Sequence, residues 1–229
     1  MKLFHSTIFC FLMAFASGQE IKIIHKSDSI PNIKERGLSF IHEKTDLDSY
    51  HLVGTVQVVA SNFNEVVNGL QSSANDFSAN AFKLKNFTNK NESISVTMDL
   101  YAVSLKDLEQ NNSHGETNVL YFLGNDSRTQ KFKINREKII LESDKFFRYE
   151  IPKGEKIKIN KGGFTGMTVY HQWVQDQPVI FYALGSGNVS TSQSNGTTLN
   201  IGFNTGKFIE LKGDLAYLYL NLNQATEKL

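Results

Sequence analysis

Cysteine is almost missing from this chain. Cys10 is the only one among 229 residues, and it sits inside an apolar run at the N-terminus. From residue 11 onward there is no thiol, which excludes disulfides, zinc-thiolate sites and cysteine nucleophiles together. Proline is scarce, with three residues, and tryptophan is single. Neither sign of charge dominates: 24 lysines and arginines stand against 23 acidic residues, for a net charge of +1. A balance like this offers no basic stripe for nucleic acid and no acidic tail for a cationic partner. No apolar stretch reaches the roughly 20 residues that span a bilayer, so no transmembrane segment is expected. A chain of this length without covalent staples has to rely on a buried core, and it is long enough to build one.

The first 18 residues, MKLFHSTIFCFLMAFASG, carry Lys2, an apolar core from Ile8 to Phe15, and small residues at Ala16 and Gly18. This is the pattern of a secretory signal peptide cleaved near Gly18, and it predicts an exported protein, periplasmic or extracellular. Phe9 stands before Cys10 where a lipoprotein signal needs a small residue, so no lipid anchor is expected there. Six sequons, at Asn86, Asn91, Asn111, Asn125, Asn188 and Asn195, read either as glycosylation acceptors or as chance matches in a chain rich in Asn, Ser and Thr.

Residues 19–116 read as an N-terminal segment followed by a β-α-β-β unit. Weak strand candidates are Ile21 to Ile24 and Leu38 to His42, and regularity begins with LVGTVQVVA from Leu52, apolar on both faces. The period then changes. Asn62 with Glu65 three places on is a capping arrangement, and Phe63, Val66, Val67, Leu70, Ala74 and Phe77 recur at helical spacing, predicting a helix over 62–79 that contains Gly69. AFKLKNF resumes strand alternation, TNKNES is a turn, and Ile94, Val96, Met98, Leu100 and Ala102 share one strand face. Residues 105–117 read as a linker holding a short helical turn.

Residues 117–229 read as an antiparallel β-sandwich. Val119 to Leu123 is apolar on both faces, Phe132 and Ile134 form a hairpin with Ile139 and Leu141, and Pro152-Lys153-Gly154 is a turn with proline at its second position. Further strands are expected at 157–159, 167–174, 179–184, 199–203 and 208–211. The stretch 186–198 reads as a polar loop. LAYLYLNLN, residues 215–223, reads as a last central strand. The fold class expected is therefore α+β, mostly β: a small β-α-β-β unit packed on an antiparallel β-sandwich. The N-terminal unit is too small to be stable alone and should pack against the sandwich.

The helix running into SANAFKL at 78–84, with Ala79-Asn80-Ala81 before a strand and hairpin, resembles the YbjQ-like fold of bacterial proteins. Residues 118–159, with a strand, a hairpin and a Pro-x-Gly turn in that order, resemble PEGA-like β-sandwich modules of bacterial envelope proteins. The two resemblances imply a bacterial envelope protein and carry over no catalytic residue.

Chemistry is sparse in the motifs. KGGFTG at 161–166 lacks the Lys-Ser/Thr pair of a phosphate loop and is flanked by strands, so no nucleotide or other cofactor is expected. Gly185-Ser186-Gly187 is too short for a nucleophile elbow. Asp46-Leu47-Asp48 lacks the further oxygens of a calcium loop. His25, His42, His51, His114 and His171 show no metal-ligand spacing, so no metal site is expected. One cluster stands out: Tyr170, His171 and Trp173 on one strand with Tyr182 on the next could stack on a sugar ring or a peptide, or be ordinary core. Three functions follow. The chain is a non-enzymatic interaction or structural module of the cell envelope, with another envelope protein or a glycan as partner. Alternatively it binds glycan or peptide on Tyr170, His171, Trp173 and Tyr182. In the third reading it is a hydrolase with a dispersed site such as His51, His171 and Asp176.

Overall fold

The computed structural model describes residues 19–28, 37–90, 93–124, 128–143, 145–162, 166–184 and 207–224. The expected signal peptide, the loop at 186–198, the strand at 199–203 and the sequons at 91, 125, 188 and 195 lie outside them. The chain is α+β and mostly β. Among the described residues no helix is long and apolar enough to cross a membrane.

The first layer is a five-stranded sheet built from β1 (Glu20–Lys26), β2 (Ser39–Phe40), β3 (His51–Ala60), β4 (Ala81–Lys90) and β5 (Ser93–Ala102), in the order β1-β3-β5-β4-β2. Helix α1 (Phe63–Asp76) crosses from β3 to β4. Its start follows the predicted cap: Asn62 Oδ1 accepts the Glu65 N–H at 3.1 Å, while the Glu65 carboxylate accepts from Ser61 N–H and hydroxyl at 2.9 and 2.8 Å. Those bonds hold the Glu65 carboxyl below the usual carboxylate range. Val66, Val67, Leu70 and Ala74 bury the apolar stripe, with Val66 and Leu70 packing on Val56, Val58, Val96 and Met98. Burying each Val or Leu is worth about 1.5–3 kcal/mol, which outweighs the roughly 1 kcal/mol that Gly69 costs in a helix.

The glycine has a reason in the packing. A Cβ at position 69 would lie 2.7 Å from Val58 Cγ1 and 2.8 Å from the Gln19 side chain. With its amide turned to satisfy both neighbours, Gln19 donates to the Glu65 C=O at 2.9 Å and accepts from the Gly69 N–H at 3.1 Å. Gly54 in β3 is tighter still: a Cβ there would come within 2.3 Å of the buried Phe77 ring. Gly54→Ala is therefore expected to lower stability by about 1–3 kcal/mol through overpacking, measured as a lower urea midpoint with unchanged slope.

The opposite face of this sheet is polar along most of its length, with Thr55 donating to Asp99 at 2.5 Å and Gln57 to Ser95 at 2.9 Å. At one end it is covered instead. Ile41, Ala81, Tyr101 and Val103 form a small core there with Leu47, Tyr50, Leu52 and Leu108 of α2 (Leu105–Asn112). The expected linker is thus part of the packed body. Its last turn carries Asn111, a fully buried residue, which accepts the His42 N–H at 2.9 Å and the Thr45 hydroxyl at 2.8 Å and donates to the Phe40 C=O at 2.8 Å. Asn111 cannot carry a glycan in this fold, whereas Asn86 is exposed.

Among the described residues the C-terminal half holds two four-stranded sheets. One contains β11 (Met167–Gln172), β10 (Lys156–Lys161), β7 (Gln130–Ile134) and β8 (Glu137–Leu141), in that order. The other contains β13 (Phe208–Leu211), β12 (Ile180–Leu184), β6 (Val119–Leu123) and β9 (Phe146–Glu150). They pack face to face on Leu120, Phe122, Tyr182, Leu184 and Phe208 from one sheet and Phe132, Ile134, Leu141, Ile157 and Ile159 from the other. The hairpin at Asn135 is as expected, with Asn135 in the left-handed region at φ 55°. Pro152 occupies the first position of its turn instead of the second, since the Glu155 N–H bonds the Pro152 C=O and Gly154 takes φ 79°. The sandwich is not wholly antiparallel: β6 and β12 pair in parallel, Ile180 opposite Leu120. The chain between them passes through the entire opposite sheet, supplying the long crossover that parallel pairing needs.

The last element corrects the sequence reading. LAYLYLNLN is helix α3 (Gly213–Gln224), not a strand. Leu218 and Leu222 enter the core of the five-stranded sheet, while Ala216 and Leu220 pack with Val119, Tyr121, Leu123 and Phe181 on the outer side of the β6 sheet. A helix held between two sheets is apolar nearly all round, and its leucine-tyrosine alternation imitates strand periodicity. Asn221 and Asn223 side chains donate back to the Tyr217 and Tyr219 carbonyls at 2.8 and 2.9 Å. Through α3 the two halves share buried residues. Tyr217 stacks on Phe40 at 5.4 Å and meets Phe181 edge-on at 5.0 Å, and Asp214 accepts the Phe40 N–H at 2.9 Å.

Candidate functional site

The four aromatic and imidazole residues singled out in the sequence do not share a surface. Along β11, Met167, Val169 and His171 point into the sandwich, with Trp173 following on the same side, while Tyr170 points out and is 58% exposed. Tyr182 lies on the facing sheet, 5% exposed, with its hydroxyl 2.8 Å from His171 Nε2. Burial draws the His171 imidazole down, against the pull of the Glu210 carboxylate. Burial and then Glu210 push the Tyr182 hydroxyl up to about 12. This pair is a neutral hydrogen bond tying the two sheets together. Trp173 is half-buried against the core, with the Lys153 amine 5.6 Å from its ring. A single four-residue platform is therefore absent, because strand alternation sends Tyr170 to the opposite face.

The residues of a dispersed hydrolase site are likewise apart. His51 pairs with Ala102 in the five-stranded sheet, His171 with Ile157 on the edge of the sandwich, and Asp176 sits in the turn after β11. Asp46 caps its own turn, accepting the Asp48 N–H at 3.1 Å. Among the described residues no group of three His, Cys, Asp or Glu side chains could hold a metal ion. A cleft of about 350 Å³ between β4 and the end of α3 is lined by Phe40, Glu43, Lys83, Lys85, Phe87 and Asn221 among others.

What Tyr170 does face is a surface that sequence reasoning missed. The outward positions of its sheet are Lys156 and Lys158 on β10, Lys131 and Lys133 on β7, and Lys138 and Ile140 on β8, all exposed. Lys133 lies directly opposite Lys138, and on its other side Asn160 leads across to Thr168. Lys156 and Lys158 place their amines 5.5 and 6.0 Å from the Tyr170 ring. No carboxylate stands among the outward residues of these four strands. The alternation K-x-K in both β7 and β10 is visible in the sequence. That the two segments lie side by side follows only from the β7–β10 pairing.

One buried group carries no chemistry that its surroundings can use. Lys161 ends β10 on the inward face, 4% exposed, and its amine has no hydrogen-bond partner among the described residues. Burial lowers its pKa. The folded chain therefore binds fewer protons there than the unfolded chain, and its stability rises with pH through the window from the lowered pKa up to the ordinary lysine value. Lys161→Met is expected to raise stability by about 1–3 kcal/mol at neutral pH, the usual cost of an unsatisfied buried polar group. The gain should shrink as the pH rises through that window and be smallest near its upper end, as thermal melts at about pH 7 and pH 10.5 would read.

No protein-family model matches the chain, and the comparisons with curated proteins and with solved structures likewise return no match.

Proposed function

We propose that this is an exported, non-enzymatic binding module of the cell envelope, and that its ligand is an acidic polysaccharide held on the outer face of the β11-β10-β7-β8 sheet. The observation that carries the reading is the single sign of that face in a chain whose net charge is only +1. An ordinary solvated sheet face explains polar residues, but it does not explain five lysines without a carboxylate. Edge protection explains lysine on edge strands, yet four of the five stand on the central strands β7 and β10. Lys133 against Lys138 is a like-charge pair directly across two strands, which destabilises the sheet. An anionic ligand removes that repulsion.

The ring of Tyr170 among these amines suits a sugar stacked on its face, with its carboxylate or sulfate groups paired to the lysines. A bilayer fits less well, because within the four strands the exposed large apolar residues are Tyr170 and Ile140, on opposite edge strands, and interfacial binding scales with buried apolar area. The export reading rests on the N-terminal pattern, and the envelope setting on the resemblance to PEGA-like modules.

Affinity electrophoresis through gels containing a polyuronate or a sulfated glycan tests the ligand. Retardation is expected in acidic gels and not in neutral ones, falling with salt because these charges are exposed. Lys133→Ala/Lys138→Ala and Tyr170→Ala should each weaken it, while the fluorescence of Trp173, on the inner side, stays unchanged. Binding to vesicles of anionic lipid with no response to any polysaccharide would overturn the glycan reading. Recovery of the unprocessed chain from the cytoplasm would overturn export.

A further inference from the structure

Three of the seven exposed large apolar side chains among the described residues crowd onto one strand, β1: Ile21, Ile23 and Ile24. Every residue of β1 is exposed, and on its outer side it pairs with no strand among the described residues. Lysines and the bulge at Ile24 are the usual guards of such an edge. They do not account for the isoleucines, with Ile23 56% and Ile24 54% exposed.

The faces of β1 are fixed by its partner. Ile21 and Ile23 stand opposite Val58 and Val56, on the side of α1, and Glu20 and Lys22 stand opposite Val59 and Gln57, on the polar side. We propose that two copies of this chain pair β1 against β1, antiparallel about a two-fold axis perpendicular to the sheet, to form one continuous sheet. Such an interface is isologous, so the strand must complement itself. Directly opposed residues share a face, and therefore a residue of β1 lies on the axis. With Glu20 or Lys22 there, a like charge meets itself. With Ile23 there, Glu20 would oppose Lys26, but the bulge has turned Lys26 to the α1 side, over the Phe77 ring at 5.4 Å.

Ile21 on the axis suits every position from Gln19 to Ile23. Glu20 of each copy then opposes Lys22 of the other on the polar face, Ile21 meets Ile21, and Ile23 lies opposite Gln19, whose amide already reaches α1 on that side. Ile21 and Ile23 fill the trough between the two α1 helices. The ribbon is short, so a dimer that forms and dissociates with concentration is expected.

Sedimentation velocity on the purified protein, without ligand, over a wide concentration range is the test. A monomer–dimer equilibrium is expected. Lys22→Glu alone should raise the dissociation constant by about tenfold or more, since two attractive pairs become repulsive. The swap Glu20→Lys/Lys22→Glu should restore it, and Ile21→Lys should abolish the dimer. All three positions are exposed, so thermal melts at concentrations where the protein is monomeric should be unaffected. A monomer at every concentration, a dimer indifferent to Lys22→Glu, or a swap that fails to restore pairing would each overturn the proposal. The outcome is independent of whether the lysine face binds a glycan.

Discussion

Asn111→Ala should lower the unfolding free energy by about 3–4 kcal/mol, a large part of the total for a domain of ordinary stability. The side chain is fully buried and makes one donor and two acceptor contacts with a segment some seventy residues earlier in the chain. Alanine leaves the Phe40 C=O, the His42 N–H and the Thr45 hydroxyl without partners in a site that water does not reach, and each unsatisfied group costs about 1–3 kcal/mol. Phe40 and Thr45 are themselves buried, so solvent cannot compensate. Asn111→Asp gives a sharper readout. Its carboxylate still accepts from His42 and Thr45 but has no hydrogen for the Phe40 carbonyl. Protonation supplies that hydrogen, and burial raises the carboxyl pKa above its unfolded value. The folded variant then binds more protons than the unfolded one, so it regains stability as the pH falls through the folded pKa. Chemical denaturation of both variants at pH 5 and pH 8 measures this. A loss under 1 kcal/mol for Asn111→Ala would mean that the 37–50 segment is not anchored by α2.

Which parts of this architecture the sequence discloses depends on whether a residue's role is local. The cap at Asn62, the stripe from Val66 to Ala74, the hairpin at Asn135 and the alternation through Ile94 to Ala102 are all legible because each is decided within a few residues. Asn111 is not. In sequence it is one asparagine of a polar run and half of a sequon, and its importance comes from the chain passing beside it at Phe40 and His42. The lysine face fails for the same reason. Lys131, Lys133, Lys156 and Lys158 each occupy the polar half of an alternating strand, and only the pairing of β7 with β10 gathers them. Tyr170 is legible as an exposed-or-core aromatic, but spacing along its own strand points to His171, Trp173 and Tyr182, whereas its cross-strand partner is Lys158. The α3 helix reads as a strand because leucines on both of its sides give an apolar residue at nearly every second position.

That helix carries the largest expected effect. Leu218 is fully buried in the core of the five-stranded sheet, and Leu220, two residues on, is buried against the β6 sheet. Leu218→Ala should cost about 2–5 kcal/mol, as large-to-small changes in rigid cores do. Its consequence should not stay on one side. Removing the side chain loosens α3 against the first sheet, and α3 also holds Phe40 through Asp214 and Tyr217 while Tyr217 rests on Phe181 of the second half. Hydrogen exchange should therefore quicken in β3 and β5 and also in β6 and β12. By the same reasoning the intact chain should unfold in one calorimetric transition, with calorimetric and van't Hoff enthalpies equal. A fragment of residues 19–117 lacks α3 altogether, so Phe40, Val56, Leu70 and Met98 lose the leucines that complete their core, and it should be poorly folded by NMR. Two separate transitions, or exchange confined to the first sheet in Leu218→Ala, would show that the helix rests on the five-stranded sheet without coupling it to the sandwich.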